Sequence, residues 1–207
     1  MKKIFLLALS LTLATFSFAQ RTLIHCGNLI DGKNKEVLSQ MTIIVEGNKI
    51  ISLDKGFTKP GKDDKLIDLS KKTVMPGLID MHVHIESETS KEALVKRFTQ
   101  NEADIAFQST IYAKRTLMAG FTTVRDCGGS GVNIALRNAI AMGTIVGPRI
   151  FTAGKGIATT GGHGDPTNGN RKDLMGDPGP KEGVINGPED ARKAVRQRYK
   201  DGADFIK

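Results

Sequence analysis

His82 and His84 stand one residue apart at the end of the run Val74-Met75-Pro76-Gly77-Leu78-Ile79-Asp80-Met81. On a β-strand side chains alternate between faces, so residues i and i+2 point the same way and two imidazoles can converge on one ion. That is half of a metal site, and neutral imidazole suits zinc, iron, nickel and copper alike. The chain holds only four histidines, His25, His82, His84 and His163, and two of them share this strand face. Pro76-Gly77 marks a turn feeding the apolar Leu78-Ile79, which puts both histidines near the far end of a buried strand.

The elements that must position this pair follow from the patterning. Residues 20–74 read as a small β module: Thr42–Glu46 and Lys49–Leu53 flank Gly47-Asn48, a two-residue hairpin signal because such a turn needs positive φ. Leu23–Cys26, with the Asn28–Gly32 turn, and Lys65–Leu69 supply further short strands, and the module is expected to be a β-sandwich. From residue 75 the grammar changes to strand and helix in alternation. A strand over 75–84 precedes a long helical region over 91–119, ended by Gly120. Phe121–Asp126 is a second strand, Val132–Met142 a second helix ended by Gly143, and Arg149–Ala153 a third strand. Residues 154–187 form a long Gly- and Pro-rich loop. Pro188 then opens a helix that Gly202 stops before a fourth strand, Ala203–Lys207. Repeated βα units imply an α/β fold with a parallel sheet, either a barrel or a doubly wound sheet. A (β/α)8 barrel takes ~250 residues, so residues 75–207 are expected to be its first half, with about four strands, and the 207 residues an N-terminal fragment.

The ends and the composition bound the class. Lys2-Lys3, an apolar stretch from Ile4 to Phe18 and Ala19 before Gln20 read as a cleavable signal peptide over residues 1–19. The apolar run is shorter than the ~20 residues of a membrane span, so no stable membrane insertion is expected after cleavage, and the mature protein is expected to be secreted or periplasmic. The formal charge of +8 falls to +6 without Lys2 and Lys3, and its lysines lie among acids and turn residues. With aromatic residues at 5% and no Trp, neither a nucleic-acid surface nor a base-stacking platform is indicated. Cys26 and Cys127 are the only cysteines and are read as unpaired. Arg125 and Asp126 read as a buried ion pair at the end of the second strand. Cys127-Gly128-Gly129-Ser130-Gly131 matches no phosphate-binding fingerprint and reads as a tight βα turn.

With those residues in view, the chain resembles the metal-dependent amidohydrolase superfamily. The likeness runs from the β module through Pro76–His84 and Gly120–Asp126 to Gly202-Ala203-Asp204-Phe205-Ile206-Lys207. Together with Thr160-Gly161-Gly162-His163-Gly164-Asp165, these motifs are most similar to the Xaa-Pro dipeptidase (prolidase-like) and imidazolonepropionase-like branch. The resemblance implies that His82 and His84 bind one metal, and that Lys207, carboxylated to a carbamate, bridges two zinc ions in the complete enzyme. It implies that His163 contacts substrate, and that a general-base aspartate and two more histidines belong to later strands. No catalytic base is assigned within these residues.

The function so implied is hydrolysis of amide or peptide C–N bonds, a metal-bound hydroxide attacking the carbonyl, with dipeptides or other small molecules as substrates. By itself this stretch is expected to have little or no activity. Two other readings stay open: a ring-opening or deaminating enzyme similar to imidazolonepropionase, and a non-catalytic metal- or solute-binding derivative. Self-association of the full-length protein is compatible with all three.

Overall fold

The computed structural model describes residues 20–207; the signal peptide expected over residues 1–19 lies outside them. The chain divides into two compact units between Pro76 and Gly77.

In the first unit β1 (Arg21–Leu29), β2 (Leu38–Glu46), β3 (Lys49–Lys55) and β4 (Lys65–Val74) form a mixed sheet in the order β3-β2-β1-β4. The small β module takes the form of this one sheet. β2 and β3 make the expected hairpin, with Glu46 opposite Lys49 and Gly47 at φ 59°. β1 pairs antiparallel with β2 on one side and parallel with β4 on the other. Cys26, Leu29, Met41 and Ile43 are buried together, against Ile24, Leu38, Val45 and Val74. Burial pushes the Cys26 thiol above its ordinary pKa, and both Cys26 and Cys127 are free and buried.

The second unit opens with β5 (Leu78–Val83), then α1 (Ala93–Thr99), α2 (Glu102–Met118), β6 (Phe121–Asp126), α3 (Val132–Ala141) and β7 (Arg149–Thr152). Two two-residue strands, β8 (Ala158–Thr159) and β9 (Val184–Ile185), flank the short helix α4 (Lys172–Met175), and α5 (Pro188–Asp201) follows. β5, β6 and β7 lie side by side in that order, every pairing parallel, as successive strand–helix–strand units require. The sheet buries Val124 of β6 and Ile150 of β7, with Ile85 just past β5, against Ala113 of α2 and Leu136 of α3. Gly77 has a steric reason: a Cβ there would lie 2.1 Å from Thr122 Cγ2, so only glycine lets the chain enter β5 beside β6.

Two expected elements differ. The helix over 91–119 is two helices, because Gln100 leaves the helical region at ψ 134° and Asp104 turns its carboxylate back to accept from the Asn101 N–H at 2.9 Å. That reciprocal use of an Asn-x-x-Asp sequence starts a new helix. The fourth strand over Ala203–Lys207 is not formed as a ladder. Asp204 N donates to Thr152 O at 2.8 Å and Ile157 N to Lys207 O at 2.8 Å, but the Thr152 N–H goes to the Asp204 carboxylate at 2.8 Å. A side chain thus takes a donor that a continuous ladder would give to backbone, and the segment lies beside β7 without the regular pairing of a strand.

Candidate functional site

His82 lies in β5 and His84 immediately beyond it, at the C-terminal ends of parallel strands, where the βα loops of barrels gather their functional groups. Their ring centroids are 5.6 Å apart. The Nζ of Lys207 lies 3.2 Å from Nε2 of His82, so the chain's last residue returns to the histidine pair 125 positions away. A cleft of about 870 Å³ is lined by His84, Gly128, Gly156, His163 and Lys207, among others. The structure therefore brings His82, His84 and Lys207 to one place and puts His163 on the wall of the same cleft.

Protonation at this place can be reasoned from partners. Nδ1 of His84 is 2.6 Å from the carbonyl oxygen of Gly128. A carbonyl can only accept, so Nδ1 carries the proton and, in the neutral ring, Nε2 keeps its lone pair. Lys207, as an ammonium, donates to Nε2 of His82 and has no lone pair of its own. Two neutral imidazoles suit a divalent transition metal. Lys207 fits such an ion only after its positive charge is removed. Among the described residues no cluster of three or more His, Cys, Asp or Glu is placed to hold a metal ion; the candidate donors at this place are the two imidazoles and this lysine.

The supporting residues are unlike those expected. Arg125 and Asp126 make no ion pair with each other, because neighbours along a strand face opposite ways. The Arg125 guanidinium reaches Met81 O at 3.3 Å and Cys127 Sγ at 3.5 Å and lies 4.3 Å from the centre of the Phe205 ring. Asp126 is fully buried. It accepts from Ile85 N at 3.1 Å, Asn133 Nδ2 at 2.7 Å and Thr152 Oγ1 at 2.7 Å, tying the end of β5 to α3 and β7. Burial holds its carboxyl above the usual carboxylate range, and the bonds from Thr152, Ile85 and Asn133 only partly offset this.

Two further carboxylates fix loops at the mouth. Asp165 accepts from Gly161 N, Thr167 N and Thr167 Oγ1 at 2.7–2.9 Å and so folds the loop carrying His163. These bonds, led by that from Gly161, hold its pKa below the ordinary value. Glu86 accepts from Ser130 N and Asn133 N, each at 2.6 Å, and fills the N-terminus of α3. The glycine-rich turn before α3 thus receives a side chain of the protein itself. Sequence reasoning passed over Glu86, although it continues the alternation 82, 84, 86. Arg137 closes the other side, donating to Gly202 O at 2.8 Å and to the Asp204 carboxylate at 2.7 Å, three residues before Lys207.

Comparison with known proteins sets this geometry in a family. The model of the amidohydrolase family matches residues 73–207. The chain belongs to the amidohydrolase family. Among solved amidohydrolase-like structures, a Xaa-Pro dipeptidase with methionine bound in its active site is 50% identical at a TM-score of 0.84, over 90% of this chain and 46% of that one. A prolidase complexed with N-methylphosphonate-L-proline is 31% identical at a TM-score of 0.74, over 91% of this chain and 46% of the other. Ochratoxinase from Aspergillus niger is 35% identical over 102 residues, 44% of this chain and 21% of that protein. The chain therefore spans under half the length of these relatives. These neighbours are amidohydrolase barrels, so the parallel β5-β6-β7 unit is the N-terminal part of a (β/α)8 barrel. No helix among the described residues is long and apolar enough to cross a membrane.

Proposed function

We propose that the protein is a metal-dependent hydrolase of amide or peptide C–N bonds, acting on dipeptides ending in proline or another amino acid. The observation that carries the reading is Lys207 Nζ lying 3.2 Å from His82 Nε2, beside a His84 whose Nδ1 is occupied by Gly128 O. A lysine ammonium donating to an imidazole is an uneconomical use of two basic groups. The arrangement is chemically coherent when the lysine amine has added to carbon dioxide and lost a proton, giving a carbamate beside two imidazole donors. In this reading His82, His84 and the carbamate of Lys207 hold zinc, two ions in the complete enzyme. Zinc, when bound, supplies Lewis acidity and lowers the pKa of water. The chain's own residues do the rest of what is assigned here. Gly128 O holds the tautomer of His84. Asp126 ties the end of β5 to β7. His163 contacts the substrate from the cleft wall, on a loop folded by Asp165. The Xaa-Pro dipeptidase and prolidase likenesses support the dipeptide class, and the ochratoxinase likeness supports hydrolysis more broadly. Export to the periplasm or outside the cell, with cleavage before Gln20, belongs to the same proposal.

The test uses protein expressed from the full reading frame in its own compartment. Zinc and carbamate are quantified by elemental analysis and by mass spectrometry under non-denaturing conditions, alongside turnover of Xaa-Pro dipeptides. Two zinc ions per chain, a carbamate on Lys207 and loss of both in Lys207→Ala are expected. One ion per chain without carbamate would refute the binuclear reading and favour the ring-opening alternative. N-terminal sequencing of the exported form should begin at Gln20.

A further inference from the structure

His84 can present Nε2 to an ion only if its ring is held the right way round, and the group holding it is a single backbone carbonyl, that of Gly128. A carbonyl in a glycine-rich loop has no fixed direction of its own: Gly128 sits at φ 131°, a conformation that side-chain-bearing residues rarely adopt. What fixes the loop is a set of ties on either side of that carbonyl. Cys127 N donates to Val83 O and Gly129 N to Gly154 O, both at 2.8 Å. The third tie is Glu86, nearly buried, whose two carboxylate oxygens take the Ser130 and Asn133 N–H groups at 2.6 Å each. Gly129 is the counterpart of that tie, since a Cβ there would lie 2.5 Å from the Glu86 carboxyl carbon.

We infer that Glu86 is a positioning residue for His84. It belongs to the same segment as His84, two residues on, and clamps the loop whose carbonyl selects the Nδ1–H tautomer. The strand end therefore carries both a metal-facing imidazole and the carboxylate that sets the direction of its hydrogen-bond acceptor. The carboxylate does this by satisfying the Asn133 N–H in the first turn of α3 and the Ser130 N–H in the turn just before it, where a negative charge is favoured. The consequence for zinc rests on the function proposed above; the consequence for the tautomer does not.

The experiment therefore reads the tautomer first. Long-range proton–nitrogen correlation spectra of metal-free, nitrogen-15-labelled full-length protein report which ring nitrogen of His84 carries the proton. Wild type is expected as the Nδ1–H form. Glu86→Gln replaces one accepting oxygen by an amide N–H₂ facing a donor, and is expected to give a mixture of tautomers. Its zinc dissociation constant, from competition with a chromophoric chelator, is expected to rise about 10–100-fold, the usual effect of removing support behind a metal ligand. Gly129→Ala, which displaces the same carboxylate, should do likewise, so a Glu86→Gln protein that fails to fold does not end the test. Leu136→Ala, a core truncation in α3, should lower thermal stability while leaving the His84 tautomer as in wild type. If Glu86→Gln or Gly129→Ala folds and keeps both the wild-type tautomer and the wild-type zinc affinity, Glu86 is a helix cap only and the inference is overturned. If the tautomer shifts but wild type itself binds no zinc, the positioning role stands and the proposed function falls.

Discussion

Removing the Asp126 carboxylate should be among the most damaging single changes in the second unit, and the structure says by how much. In Asp126→Ala the Ile85 N–H loses its partner and the Thr152 hydroxyl loses its acceptor, both buried. Asn133 Nδ2 keeps one of its two acceptors, Gly154 O at 3.0 Å. At about 1–3 kcal/mol for each of these two buried groups left without a partner, the loss comes to about 2–6 kcal/mol. Amide exchange at Ile85 should then accelerate by at least about twentyfold, since 1.4 kcal/mol corresponds to a factor of ten. Acceleration below about fivefold would refute the network as a support of the β5 end. Asp126→Asn adds a test of sign. The folded carboxyl has its pKa raised by burial above the unfolded value of about 3.9, so the folded state holds the proton more tightly. Stability from this group is therefore fullest below about pH 4 and declines as pH rises through the raised folded value. The asparagine variant has no such slope. The stability advantage of wild type over Asp126→Asn, from urea titrations followed by circular dichroism, should be larger near pH 4 than near pH 7; a widening gap toward neutrality would show that hydrogen bonding to the ionised form dominates.

Two other outcomes follow from the mouth of the site. Arg137→Ala takes the guanidinium from a partly buried pair with Asp204 and should cost about 1–2 kcal/mol, read as faster exchange of the Asp204 amide bonded to Thr152 O; an unchanged rate would mean that the carboxylate on Thr152 N suffices by itself. Asp165 has its pKa lowered by the Gly161 and Thr167 bonds, so its contacts persist as pH falls through the ordinary aspartate range and fail only below it. The titration of the Thr167 amide shift should thus have its midpoint below about 3.9, and a midpoint at or above that value would contradict the loop's hydrogen bonding.

What could be read from the sequence was whatever is encoded locally. Gly47-Asn48 specifies its hairpin because the turn conformation is a property of two residues, and Pro188 and Gly202 bracket α5 for the same kind of reason. Phe121–Asp126 and Arg149–Thr152 were legible as strands from composition and spacing. The break between α1 and α2 was written in Asn101-x-x-Asp104, with no Gly or Pro between residues 91 and 119 to mark it. The site divides along the same line. The His82/His84 spacing is local and visible, whereas the nearness of Lys207 spans the unit and came only through the family's terminal motif. Arg125 and Asp126 were misjudged because adjacency in sequence was taken for adjacency in space, which a strand denies. Glu86 was missed because its partners are backbone N–H groups, which every residue carries and no composition reveals.

The register of β1 bears on the order in which the first unit can assemble. Its antiparallel partner β2 and the β2–β3 hairpin involve contacts close in sequence, but Thr22 pairs in parallel with Lys65 across more than forty intervening residues. Closing the hairpin costs little chain entropy and is a microsecond event. The parallel pairing requires a far larger loop to close before any ladder bond compensates. One edge of β1, with its row of unpaired amides beside the apolar Leu23 and Cys26, is thus the last part of that sheet to be covered, and intermediates of this unit are most open to strand exchange between molecules along that edge.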